Sequence, residues 1–424
     1  MRVLMLSWEY PPLIYGGLAR HVQALSTALA GVGHEVVVAT QTTEDTPADQ
    51  VVDGVRVLRV RQEPPLVPRD DLFAWTMSLD HALTRGALTA LGGWRPDVVH
   101  AHDWLVAHAA ATVRTVYDVP LVATIHATEA GRWNGWLPEP MNRAIHSVEW
   151  WLTYLADRVI CCSGYVAHEC GTLFATPGPK LEVIPNGVDL ATWTVSGAER
   201  ARARSEWGGH GPLVVFTGRL EYEKGVQTLL AAMPRLRRRH PGIRLLVAGR
   251  GSHEAALRAE ARRLRLGRSI RFAGWLDDTE LPPLVAAADV VAVPSLYEPF
   301  GLVALEAAAA GTPVVASQRG GLAEIIKDHE TGLLVDAGSP ADWADAIDRI
   351  VTEPDLGAGL AVLARAQASE SFRWESVAAA TVRAYERAAT IEAPQPRPDF
   401  VVREGNQFTL AAEPASDADH DDRR

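Results

Sequence analysis

The sequence predicts an α/β protein built from two Rossmann-like, doubly wound domains. Three observations carry the prediction. Short apolar runs rich in Val, Ile and Leu alternate with longer helical stretches, the pattern of parallel strands buried on both faces. The alternation occurs twice, on either side of a segment, 185–211, in which Ser, Gly and charged residues replace it. The length of 424 residues, 47% of them hydrophobic and 22% charged, suffices for two substantial cores.

In the first series, strand candidates occupy 2–7, 35–40, 55–60, 97–101, 121–126 and 158–162, with helical stretches between most of them. In the second they occupy 213–217, 243–248, 270–273, 289–294, 313–316 and 332–335. The expected organisation is a first domain over 1–190, a linker over 191–210, a second domain over 211–373, a closing helix over 374–390 and a disordered tail over 391–424. That tail turns Pro-rich and then acidic, and its Asp417-x-Asp419 pattern is read as chance rather than a metal site.

Composition excludes several classes. A net charge of -11 argues against nucleic acid as the main partner. No apolar run reaches the ~18 residues of a membrane span, and the chain enters a strand at once, so neither a transmembrane helix nor a signal peptide is expected. The basic runs 235–240 and 258–268 read as solvated helix faces, and stable membrane insertion is not expected. Cys161, Cys162 and Cys170 cannot all pair internally, and reduced thiols in the cytoplasm are the simplest reading. Oligomeric state is left open.

Chemistry concentrates at strand ends. The run ending in Pro294-Ser295 is followed by Glu298-Pro299-Phe300-Gly301-Leu302, which opens a helix carrying Glu306 in its second turn. The first amides of such a helix have no intrahelical partner and point into the crevice where open α/β sheets bind ligands. The strand candidate 213–217 ends in Gly218-Arg219-Leu220-Glu221-Tyr222-Glu223-Lys224-Gly225. Gly218 allows close backbone approach, Arg219 offers a planar fork and Lys224 a compact charge, together suited to a diphosphate. After the strand 2–7 come Trp8-Glu9-Tyr10-Pro11-Pro12 and then Gly16-Gly17, where backbone amides can meet an anion at a helix start.

In this order the segments resemble the retaining glycosyltransferases of the GT-B fold, specifically family 4, over 1–390, with glycogen and starch synthases as more distant relatives. Thr124-Ile125-His126-Ala127 and Pro185-Asn186-Gly187-Val188-Asp189 match further family motifs. Within the family, the segments 7–12, 100–108, 124–132 and 218–225 are similar to actinobacterial α-1,4-glucosyltransferases of glycogen and methylglucose lipopolysaccharide synthesis.

The resemblance implies a GT-B architecture, two domains facing across a cleft, and transfer with retention at the anomeric carbon. It implies a nucleotide sugar, UDP-glucose or ADP-glucose, as donor and a glucan as acceptor, with no metal required. His126, Arg219, Lys224 and Glu298 match the catalytic positions. Gly16, Gly17, Arg219, Lys224, Glu298, Phe300, Gly301, Leu302 and Glu306 match the donor site, Glu298 holding sugar hydroxyls and Glu306 the ribose. For the acceptor, Trp104, Trp133 and Trp136 offer flat faces, and His102, Asp103 and Glu129 offer hydrogen bonds. The expected activity is glucosyl transfer to an α-1,4-glucan. Alternatives are a family member acting on a lipid or small-molecule acceptor, a glycoside hydrolase using the two carboxylates, and a noncatalytic carbohydrate-binding protein.

Overall fold

The computed structural model describes residues 1–62, 67–68, 70–390, 400–403 and 407–410. Contacts divide the chain into two units, Met1–Ala389 and Thr390–Arg424. The first unit holds two sheets. One has eight strands: β1 (Arg2–Leu6), β2 (Glu35–Gln41), β3 (Asp49–Val52), β4 (Val55–Val60), β5 (Val98–His102), β6 (Leu121–Ile125), β7 (Arg158–Cys161) and β8 (Leu181–Val183). The other has six: β9 (Leu213–Thr217), β10 (Arg244–Ala248), β11 (Ile270–Gly274), β12 (Val290–Val293), β13 (Val314–Ser317) and β14 (Leu333–Val335).

The strand orders decide where a ligand can sit. The first sheet runs β3-β4-β2-β1-β5-β6-β7-β8 and the second β11-β10-β9-β12-β13-β14. Apart from β3, which runs antiparallel to β4, every pairing in these two sheets is parallel. Chain direction across each sheet therefore reverses between β1 and β5, and between β9 and β12. At such a switch point the loops leaving the two strands diverge and open a crevice. The loops concerned carry Trp8 to Gly17, Asp103, Gly218 to Gly225 and Pro294 to Gly301, so the topology collects the segments that the sequence singles out.

Hydrophobic periodicity explains the covering helices. In Gly17–Gly31 the buried Val22, Leu25, Ser26 and Leu29 recur at helical spacing on the face turned to the first sheet. Leu302–Ala310 is apolar nearly all round because it is buried on most sides, and it is bounded by Gly301 at φ 115° and Gly311 at φ 74°, conformations that favour glycine. The last helix, Trp374–Ala389, crosses back to the first sheet. Its Val377, Ala378, Ala384, Tyr385 and Ala388 are buried with Val3, Met5, Val22 and Val122.

Two sequence expectations need correction. The segment read as a linker contains a helix, Gly197–Ala203, opened by a reciprocal capping box between Ser196 and Glu199. It packs on the helix Leu281–Ala287, and Arg204 beyond it bonds Asp289 at 2.7 Å, so this stretch belongs to the second sheet's layer. In the segment read as a disordered tail, β15 (Phe400–Arg403) pairs antiparallel with β16 (Gln407–Leu410). The rest of that tail, including Asp417 and Asp419, lies outside the described residues. The strands β3 and β8 escaped the sequence reading because they are short edge pieces with partly exposed residues.

Several side chains of the basic runs are paired locally. Arg235 and Arg239 pair with Asp345, Arg239 and His240 with Asp348, Arg258 with Glu254, and Arg263 with Glu260. Among the described residues, no helix is long and apolar enough to cross a membrane.

Candidate active site

Glycines set the loop after β9. Gly225 has φ 72°, and a Cβ added there would lie 1.8 Å from the Pro294 carbonyl oxygen, so the loops after β9 and β12 touch backbone to backbone. Gly249, at φ 142°, meets the Gly218 carbonyl oxygen equally closely. These contacts fix the spacing between Arg219, Lys224 and the Glu298 loop.

Lys224 Nζ donates to Glu298 Oε2 at 2.9 Å, and Ser295 Oγ donates to the same oxygen at 2.8 Å. The pair is only 17% and 14% exposed, little enough that removing one member leaves a poorly solvated charge. Arg219 is held at 3.3 Å by Glu223, whose carboxylate also lies 3.7 Å from Arg132 of the first domain. Burial lowers the pKa of Arg219, with neighbouring Arg132 adding to the shift. Glu223 thus compensates two cations.

The first domain approaches from the other side. A Cβ on Gly16 would lie 3.9 Å from Arg219 Cδ, and one on Gly17 would lie 2.6 Å from Leu302 Cδ1. The Gly-Gly turn and the two helix starts therefore meet where a phosphate could reach Arg219 and the free amides after Gly301. One turn beyond Gly17, Arg20 bonds Glu306 at 3.3 Å and Asp278 at 2.5 Å. Burial raises the pKa of Glu306, and Arg20 opposes that shift. More links cross the cleft: Thr128 N–H donates to Tyr297 Oη, Tyr297 Oη–H donates to Glu169, Ser163 Oγ donates to the Pro299 carbonyl, and the amides of Gly164 and Tyr165 donate to Glu324.

His126 stands partly exposed just past β6. Its amide donates to Asp103 Oδ1 at 2.7 Å, and its Nε2 lies 3.2 Å from His102 Nδ1. Burial lowers its pKa to about 3. Burial thus favours the neutral imidazole, which can serve as a hydrogen-bonding group. Asp103, at φ 61°, is raised to about 7 by burial, against the pull of the amides it accepts.

Three placements depart from the sequence reading. His102 is fully buried beneath His126, so it supports that residue and does not reach an acceptor. Alternate side chains of a strand face opposite sides of the sheet, and both sides of β5 are covered. Trp104, 8% exposed, belongs to the core under the helices flanking β5. The Phe300 ring packs into the core against Phe372, which leaves its loop's backbone as the part near the cleft. Trp133 and Trp136 are 49% and 70% exposed. They follow a short helix, Glu129–Arg132, and Glu129 accepts from Trp133 Nε1 and Asn142 Nδ2.

The sequence reading missed Glu9, Arg20 and His21. Buried Glu9 accepts from the amide of Tyr15 and, with a pKa raised to about 8 by burial, braces the loop leading to Gly16. Its position directly after β1 was a usable signal. Arg20 and His21 sit one turn into an ordinary amphipathic helix, and only their distant partners Glu306 and Asn186 mark them out.

Comparison with known proteins gives a consistent picture. Residues 15–192 match the model of Glycosyltransferase Family 4, and residues 198–366 that of Glycosyl transferases group 1. The chain is 46% identical to a glycogen synthase of Mycobacterium tuberculosis, over 94% of this chain and 97% of that protein. It is 34% identical to a D-inositol 3-phosphate glycosyltransferase of Xylanimonas cellulosilytica, over 91% and 97% of the two chains. Sucrose-phosphate synthase from Thermosynechococcus elongatus superposes with a TM-score of 0.80 at 27% identity, covering 91% of this chain and 98% of that one.

Proposed function

This chain belongs to glycosyltransferase family 4 and is a GT-B enzyme, and on that premise we propose that it moves glucose from a nucleoside diphosphate glucose to the end of an α-1,4-glucan with retention of configuration. The observation that carries the reading is the Lys224–Glu298 pair beside Arg219 at one switch point, a carboxylate suited to sugar hydroxyls set against two cations suited to phosphate. The 46% identity to a glycogen synthase supports the glucan.

In the reaction, the bond between the anomeric carbon and the donor's phosphate oxygen breaks, and its electron pair leaves with the diphosphate. Arg219 and Lys224 neutralise that growing charge, so no metal ion is required. The acceptor hydroxyl attacks the same face, and its proton passes to a phosphate oxygen of the leaving group. Neutral His126 hydrogen-bonds the donor sugar, Glu298 holds its hydroxyls, and Glu306, fixed by Arg20, receives the ribose. Trp133, Trp136 and Glu129 face the acceptor. The enzyme works in the cytoplasm, where its three buried cysteines remain thiols.

A second reading, transfer to a small anionic acceptor, is favoured by Arg132. This first-domain cation lies 3.7 Å from Glu223, and the diphosphate roles given to Arg219 and Lys224 do not require it. The name of the Xylanimonas relative contains such an acceptor. The deciding experiment offers UDP-glucose, ADP-glucose and GDP-mannose separately, each with maltooligosaccharide or with a sugar phosphate, and digests the products with an α-1,4-specific amylase. Longer, amylase-sensitive chains are expected. Elongation absent with every donor, with nucleotide released only in the presence of the sugar phosphate, would replace the glucan by the small acceptor.

A further inference from the structure

Beneath the cleft four imidazoles from three elements converge: His21 from the first helix, His100 and His102 from β5, and His126 from the end of β6. Three of them differ from the fourth. His100 is satisfied at both nitrogens, by Tyr385 Oη at 2.8 Å and Thr124 Oγ1 at 2.7 Å. His21 and His102 each bury an Nε2 that has no hydrogen-bond partner. One ligand atom from each of His21, His102 and His126 lies within 4.8 Å of the others.

The tautomer of His21 is set from outside the cluster. Its Nδ1 lies 2.7 Å from Asn186 Oδ1, an oxygen that can only accept, so Nδ1 carries the proton and the orphaned Nε2 presents a bare lone pair. An outer hydrogen bond that fixes the ring and frees the inner nitrogen is the usual support of a metal-ligating histidine. Burial holds all three imidazoles toward the neutral, ligating form.

We propose that His21, His102 and His126 form a binding site for one borderline divalent transition metal, Zn2+ being the best fit, in the floor of the cleft. Three neutral nitrogen donors without a carboxylate suit Zn2+, Co2+ or Cu2+ and not Mg2+ or Ca2+. Tetrahedral binding at about 2.0–2.1 Å sets the nitrogens roughly 3.4 Å apart, beside the 3.2 Å between His102 Nδ1 and His126 Nε2 and a span of at most 4.8 Å for the three. Only His126 among the three is partly exposed, so the fourth position opens toward the cleft. The ion restrains the His126 ring and withdraws it from the donor sugar, making metal an inhibitor of transfer. This last consequence rests on the function proposed above, whereas the binding does not.

The test uses the full-length chain without an affinity tag, titrated with Co2+. One equivalent should develop the intense visible absorption of four-coordinate Co2+, and Zn2+ should displace it. His21→Asn and His102→Asn should abolish the band. Asn186→Ala keeps every ligand and should weaken binding by about 10–100-fold. A band absent from the wild type, or unchanged in strength and affinity in Asn186→Ala and the histidine variants that fold, overturns the site. Stoichiometric Zn2+ binding with unaltered transferase turnover overturns the inhibitory role alone.

Discussion

The two walls of the cleft use their polar residues differently. On the second-domain wall, Arg219, Lys224 and Glu298 lie just past strand ends and partly exposed, Lys224 paired with Glu298 and Arg219 with Glu223. On the first-domain wall, His100 and His102 are fully buried, Asp103 is half-buried, and Glu149, which accepts from the Glu129 amide, is buried, and burial shifts the pKa of each toward its neutral form. One wall keeps charge where a charged leaving group would arrive. The other keeps its polar groups neutral and bonded within the protein, with His126 the partly exposed member. Net electrostatics thus changes sign of purpose across one crevice, stabilisation on one side and polarity without charge on the other.

The largest test of that contrast removes the charged wall. Arg219→Ala or Lys224→Ala should lower kcat by about 10²–10³-fold, while a hydrolase or a simple sugar binder would be indifferent. Because Lys224→Ala strips a partner from Glu298, its melting curve has to be compared with that of the double variant lacking both side chains. Next comes the bridge between the walls. Arg20→Ala should raise the donor KM about tenfold, the loss expected of one charge-assisted hydrogen bond network, and leave the acceptor KM unmoved. An equal rise in both would show that Arg20 serves general domain contact instead.

The neutral wall can be read through pH. The folded pKa of Glu9, about 8, lies above its ordinary value of 4.5, so between those limits the unfolded chain has lost a proton that the folded chain keeps. Stability should therefore decline as pH rises through that window, by at most about 1.4 kcal/mol per unit from this group. In Glu9→Gln, urea unfolding at pH 5.5 and 8 should show a shallower decline than in the parent. The smallest effect belongs to the rim: Trp136→Ala should raise the glucan KM about fivefold, the worth of one stacking face, with kcat retained.

The same contrast explains what the sequence could disclose. Most strands and both switch-point loops of the second domain were readable, because glycine and charge interrupt an apolar run abruptly at Gly218 and Glu298. His102 and Trp104 were misplaced because a local reading cannot tell which polar residues will be covered on both sides of a parallel sheet. Arg20 and Glu306 are 286 positions apart, and the bridge exists only once both domains have formed. Polar burial is a property of the assembled layers, and no window of sequence contains it.

The crossing helix Trp374–Ala389 also bears on how the protein is made. His100 of the fifth strand waits for Tyr385, 285 positions later, and Val3 and Met5 wait for the same helix. The first sheet's domain is therefore begun before the second and completed after it. Until that helix has been made, Val3, Met5, Val22 and Val122 present an uncovered apolar face of the kind that nascent-chain chaperones bind.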